Sequence, residues 1–221
     1  MDGNMSMWMP APGQSWPGAA VSFLGMWVVM MAVMMLPVLL PMLWRYREAV
    51  ATTGETRLGR LMAVATTGYF FVWAVFGLVV FLLGVEVMTL EMRLPVLNRA
   101  APLLAGIVVL AGGALQFTAW KARHLACCRE APVCSCVSPI NLVTAWRYGL
   151  RIGLNCSYCC AGLTAVLLVI GVMDLRTMAL VTVAIWLERL SPRGRSVARA
   201  IGALVIAVGI SMTLGTIPAD S

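Results

Sequence analysis

Charge is what this chain has least of. Only 11% of its 221 residues are Asp, Glu, Lys or Arg, and 61% are hydrophobic. A soluble domain carries about 25% charged residues, so too little polar surface exists here to keep a globule in water. The mean hydropathy of +0.91 agrees, and several stretches approach the roughly 20 apolar residues that cross a bilayer. The expected fold class is therefore all-α, a polytopic transmembrane helical bundle. Histidine is nearly absent, with His124 alone, and cysteine is missing from the first 126 residues. Lys and Arg are missing from the first twenty, so no basic region precedes the first apolar segment, which is expected to stay as a membrane anchor. The sequence also offers no nucleophile–base pair, no phosphate-binding glycine loop and no carboxylate pair within a span. Hydrolase or transferase chemistry is not expected.

Hydropathy places six spans, at about 20–44, 62–84, 100–120, 152–173, 177–190 and 198–216, the fifth being the shortest. The Met- and Trp-containing tail at 1–19, MDGNMSMWMPAPGQSWPG and the residue after it, is expected to be flexible or to lie flat on the outer surface. Met5, Met7 and Met9 around Trp8 form either a Cu(I)-binding group or an interface anchor. Residues 20–217 form a single transmembrane domain with a Cys-rich loop at 121–151. Basic residues crowd alternate loops: Arg45, Arg47, Arg57 and Arg60; then Lys121, Arg123, Arg129, Arg147 and Arg151; then Arg189, Arg193, Arg195 and Arg199. These are thirteen of the sixteen in the chain, and only Arg93, Arg99 and Arg176 fall on the other side. Positive charge marks cytoplasmic loops, so both termini are expected on the non-cytoplasmic side. The net charge of +7 is explained by this topology and by attraction to anionic lipid. It requires no nucleic-acid partner.

Sulfur is what the chain has in place of charge. The run MWVVMMAVMMLPVLLPM at 26–42 holds six methionines and two prolines. Pro37 removes the helical partner of the Val33 carbonyl and is expected to kink the helix beside Met34 and Met35. Seven cysteines follow, at 127, 128, 134, 136, 156, 159 and 160. A cytoplasmic setting keeps thiols reduced, which points to metal or redox chemistry. In NCSYCCAG, Cys156, Cys159 and Cys160 have i, i+3, i+4 spacing and share one helix face. Soft thiolates suit Cu(I) or zinc, and coordination ionises them; buried cysteines also serve as small apolar packing. At 1.5 Å per residue, Met35 lies about 13 Å from the inner end of its span and Cys160 about 12 Å from the same boundary. The two sulfur groups thus share a depth. Glu188, near the inner end of the fifth span, is a further candidate ligand or an interfacial partner of Arg189. His124 and Cys128, at i, i+4 in KARHLACCRE, form a second candidate pair.

The segments MMAVMMLPVLLPM, KARHLACCREAP, GLNCSYCCAG with GVMDL, and WLERL, taken in order from residue 26 to about 190, resemble the bacterial DUF2182 family. That family is described as predicted metal-binding integral membrane proteins and also as copper chaperones. The resemblance implies metal binding in a bacterial inner membrane. His124 stands where the family has cysteine, an exchange of one ligand type for another, and Asp174 stands where it has asparagine. Three functions are consistent with these residues. One is copper handling through Cys156, Cys159, Cys160, Met34 and Met35, with transfer to a copper-receiving protein by way of His124 and Cys128. Another is a thiol-based redox relay. The third is an accessory subunit of a larger membrane complex, whose close helix crossings Gly106, Gly112 and Gly113 would permit.

Overall fold

The repeated placement of small residues against backbone decides how these helices assemble. The computed structural model describes residues 15–51, 57–130, 141–171, 174–191 and 193–216. Among the described residues there are seven helices and no strand: α1 Trp16–Ala51, α2 Leu58–Arg93, α3 Pro95–Leu115, α4 Ala119–Glu130, α5 Leu142–Ile170, α6 Leu175–Leu190 and α7 Gly194–Thr216. The central helix is α5, whose most apolar stretch is 61% buried, against 17% for α7. It packs on α2, α3, α4 and α6.

In α5 the small residues Ala145, Gly149, Gly153 and Ser157 recur every fourth position and are buried. A side chain at Gly149 would run into the Ala65 carbonyl of α2, and one at Gly153 would meet Tyr69 O at 3.1 Å. The two helices therefore run parallel and touch through backbone. In lipid such close van der Waals approach drives association, because apolar burial does not. Gly112 of α3 and Gly162 of α5 meet in the same way, each within 3.0 Å of the other's carbonyl if a Cβ were added. Along the α3–α7 crossing, Gly106 and Gly113 answer Gly209 and Gly202 in an antiparallel register of one heptad. The small residues expected to let helices approach do so here.

Helix α1 continues unbroken through Pro37 and Pro41. Its buried residues are Trp27, Met30, Met31, Met34, Met35, Val38, Leu39 and Met42, whereas Val29, Val33, Leu36 and Leu40 are exposed. That is one apolar face of period 3.6, and it places Met30, Met31, Met34, Met35 and Met42 inside.

The helix ends are set locally. Thr118 opens α4 by accepting from the Lys121 N–H at 3.2 Å, a side-chain N-cap. Asn141 and Thr144 form a reciprocal capping box at the start of α5. Gly171 ends α5 at φ 134°, a conformation that glycine adopts without strain. Asp174 then caps α6 through the Arg176 and Thr177 amides. Its carboxyl is held below the usual range first by the Thr177 hydroxyl and then by those two amides.

Two expectations change. The third span is broken at Gln116–Thr118, where α3 and α4 are bent by 60°. The fifth is the 16-residue α6, about 24 Å long, shorter than the roughly 30 Å hydrocarbon core. Four helices are long and apolar enough to cross a membrane, or five with the bent α3–α4 pair counted as one, rather than six. The physical reason for the short α6 lies at its end, where Glu188 and Arg189 are buried inside the bundle. Within the segment 121–151, expected as a loop, α4 runs to Glu130 and α5 starts at Leu142; residues 131–140 lie outside the described residues.

Candidate functional site

The three cysteines of α5 are buried. The i, i+3, i+4 spacing gathers their three sulfurs on the buried face of α5. Each surrounding helix supplies one group. From α1, the Met35 thioether accepts from the Cys156 thiol at 4.0 Å. From α2, the Tyr69 hydroxyl is hydrogen-bonded to Cys156 Sγ at 3.1 Å. From α6, Arg189 Nη2 lies 3.2 Å from Cys156 Sγ, 3.5 Å from Cys160 Sγ and 3.3 Å from the Cys156 carbonyl. From α4, Lys121 Nζ donates to the Cys159 carbonyl at 2.6 Å and pairs with Glu188 Oε2 at 2.8 Å.

The length of α6 explains how charge reaches this depth. Cys156 lies 14 residues before the end of α5 and Arg189 lies 14 residues after the start of α6, each about 21 Å of helix. After turning at Gly171, α6 therefore follows α5 back to the level of the cysteines and stops there. Trp186, one turn before its end, donates its indole N–H to the Met34 carbonyl at 2.8 Å. That bond ties α6 to α1 beside the proline pair.

Each candidate from the sequence now has a place. Cys156, Cys159, Cys160 and Met35 are brought together. Met34 is buried beside them, and its carbonyl, not its sulfur, makes the contact seen. Glu188 does not pair with Arg189 at an interface. It is 2% exposed and bonded to Lys121, and its Oε1 has no hydrogen-bond partner among the described residues. His124 stands apart from the thiols. Its ring packs edge-on against Trp120 at 4.7 Å and against Tyr158 at 5.5 Å, while Lys121 and Leu125 hold the core-facing side of α4. The side chains of Cys127 and Cys128, all of Cys134 and Cys136, and the Met5–Met9 tail lie outside the described residues.

Sequence reading missed Lys121, Arg189 and Tyr69. Both cations were counted as loop residues, yet they are 3% and 6% exposed. Lys121 is the only lysine in the chain, and Glu188–Arg189 end an apolar segment, so both had a signal. For Tyr69 the signal was a phenol in the middle of an apolar run, which needs a partner when buried.

Among the described residues, no group of three or more His, Cys, Asp and Glu side chains is arranged to hold a metal. The Arg189 guanidinium lies against both Cys156 and Cys160. The donors themselves are soft. Three sulfurs around one ion at about 2.3 Å, the metal–sulfur distance of thiolate sites, lie about 4 Å apart, and Cys156 and Met35 stand at 4.0 Å. No curated protein and no solved structure matches this chain. Residues 24–212 match one family, described as PpoB2: copper chaperone. Since the match runs through all seven helices and includes every group around the thiols, the chain belongs to this copper chaperone family.

Proposed function

We propose that the protein is a membrane copper chaperone that takes Cu(I) as cargo at the buried sulfur cluster, using Cys156, Cys160 and Met35 as its principal ligands and Cys159 as a fourth sulfur within reach. The observation that carries this reading is the meeting of a thioether from α1 with a thiol from α5 at 4.0 Å, in a bundle that buries both. Thiolate and thioether together are a ligand set for Cu(I) and a poor one for hard cations; zinc is the other ion that thiols accept. The bundle sits in a bacterial inner membrane with both termini on the outer side. Copper leaves toward a receiving protein by way of His124 and Cys128, one turn apart on α4.

Arg189 has a defined part in this reading. A guanidinium against two sulfurs holds the place of the cargo ion while the site is empty, and it compensates negative charge on the sulfurs once the ion is bound. Tyr69 fixes the Cys156 sulfur from the opposite helix. Nothing in this scheme needs turnover of a substrate bond, so the protein acts as a carrier and not as an enzyme.

The test is Cu(I) stoichiometry and affinity for protein purified anaerobically in detergent, measured by competition against a chromophoric Cu(I) chelator. C156S/C160S is expected to lose one bound Cu(I) per chain, and M35L to keep the ion with about tenfold weaker affinity, the equivalent of about 1.4 kcal/mol. M30L, on the same buried face of α1, serves as the control and should bind as wild type. Unchanged copper content in C156S/C160S rules the proposal out.

A further inference from the structure

The elbow between α3 and α4 encloses a pocket that copper handling does not use. It has a volume of about 230 Å³ and is bounded by Gln116, Phe117, Lys121 and Leu125 on one side and by Arg195 and Arg199 of α7 on the other. It opens at the end of the bundle where the basic residues gather.

Two independent features distinguish it from an ordinary groove between helices. The first is charge. Arg195 and Arg199 are one turn apart at the start of α7, and no Asp or Glu lines the pocket. Neither arginine makes an ion pair among the described residues. Lys121 contributes its stem, because its ammonium is turned to Glu188 and the Cys159 carbonyl. The N-terminus of α7, beginning at Gly194, adds the partial positive charge of a helix start.

The second feature is Gln116. It is 4% exposed, and neither its amide nitrogen nor its amide oxygen has a partner among the described residues. A primary amide left so costs free energy, and folded proteins leave few such groups unsatisfied. Gly202 makes room for it: a Cβ there would lie 2.7 Å from Gln116 Cβ.

We propose that this elbow binds the headgroup of an anionic phospholipid from the leaflet on the basic side, with Arg195 and Arg199 on the phosphate and Gln116 on a neighbouring headgroup hydroxyl. Guanidinium groups are matched to phosphate oxygens, and basic pockets between transmembrane helices take anionic headgroups. The amide offers a donor to phosphate and an acceptor to a hydroxyl, a pair that a glycerol headgroup satisfies and a choline headgroup does not. The apolar wall of Phe117, Leu125 and Ala198 suits a ligand that continues into acyl chains, which a soluble phosphate does not. One lipid molecule thereby ties α3, α4 and α7 together at the bend.

Native mass spectrometry of the delipidated full-length protein, titrated with phosphatidylglycerol, phosphatidic acid or phosphatidylcholine, tests this. Wild type is expected to retain phosphatidylglycerol about tenfold better than phosphatidylcholine, as expected for charge-assisted hydrogen bonds. R195Q/R199Q should remove that preference and R195K/R199K should keep most of it. Q116L should bring phosphatidylglycerol down to the level of phosphatidic acid. Tryptophan-fluorescence melting of each variant reports that it is folded. Equal retention of the three lipids by wild type, or wild-type retention of phosphatidylglycerol by R195Q/R199Q, overturns the proposal. Displacement of the lipid by millimolar inorganic phosphate or glycerol 3-phosphate would make this a soluble-phosphate site, and it overturns the lipid assignment too.

Discussion

Arg189 is the side chain that most changes how the cysteines are understood. Its charge acts on any ion that joins Cys156 and Cys160, and the repulsion scales with the charge of that ion. A unit charge about 4 Å away contributes about 4 kcal/mol at an effective dielectric constant of 20, and twice that for a divalent ion. In the proposed function the arrangement favours monovalent Cu(I) over divalent zinc by more than ligand softness alone. Removing the guanidinium in R189Q is expected to raise zinc affinity relative to Cu(I) by at least about tenfold, a small part of the electrostatic difference just given. Competition titrations with both ions on the same protein measure it, and an unchanged ratio would show that Arg189 does not set selectivity. His124 gives the opposite lesson. As the only imidazole in the chain it drew attention from the sequence, but its position on α4 puts it against Trp120 and Tyr158, one helical step around from the face that carries Lys121.

At the scale of elements, the described helices are held by backbone contact at glycines and by the buried Lys121–Glu188 ion pair. Gly112 and Gly25 make a controlled comparison. A methyl group at Gly112 would stand 2.8 Å from Val166 Cγ2 and 2.9 Å from the Gly162 carbonyl, whereas Gly25 has nothing within 4 Å. G112A is expected to lower stability by about 1–3 kcal/mol through overpacking. G25A should be neutral or slightly stabilising, because alanine is the better helix former. Melting temperature in detergent separates the two. The Lys121–Glu188 pair joins α4 to α6 away from solvent. Removing one partner of such a pair costs about 3–5 kcal/mol because the other charge is left buried, so K121M should be strongly destabilising. K121M/E188L should recover most of the loss, measured by the same melting experiment.

For the whole molecule the open question is how α6 relates to the membrane, and geometry gives a definite expectation. Helices α3 and α7 run antiparallel and α2 and α5 parallel, while α6 returns from the far end of α5 to the level of Cys156. The chain between α6 and α7 is short, so α7 begins at the basic end and crosses outward. If α6 counts as a crossing beside the four or five helices long enough to cross by themselves, both termini lie on one side. In a chain whose loop cysteines are replaced by serine, D174C should react with a membrane-impermeant maleimide on intact cells. R193C should react only after permeabilisation. Labelling of both from outside would make α6 a re-entrant hairpin and leave five crossings.

Composition and periodicity by themselves determined that this is a helical chain rich in membrane-length segments, that the methionines of 26–42 and the cysteines of 156–160 share faces, and that their depths agree. These are local properties: hydropathy summed over a window, spacing on a helix, and rise per residue. Tertiary structure decided what stands opposite each face. Arg189 reaches the cysteines only because α6 stops at their level, Lys121 turns inward only because the chain bends at Gln116–Thr118, and Glu188 finds Lys121 across 67 residues of sequence. Hydropathy places a cation by the average of its neighbours and so put both basic residues in loops. A buried charge is fixed instead by a single partner on another helix, and no window along the chain contains that partner.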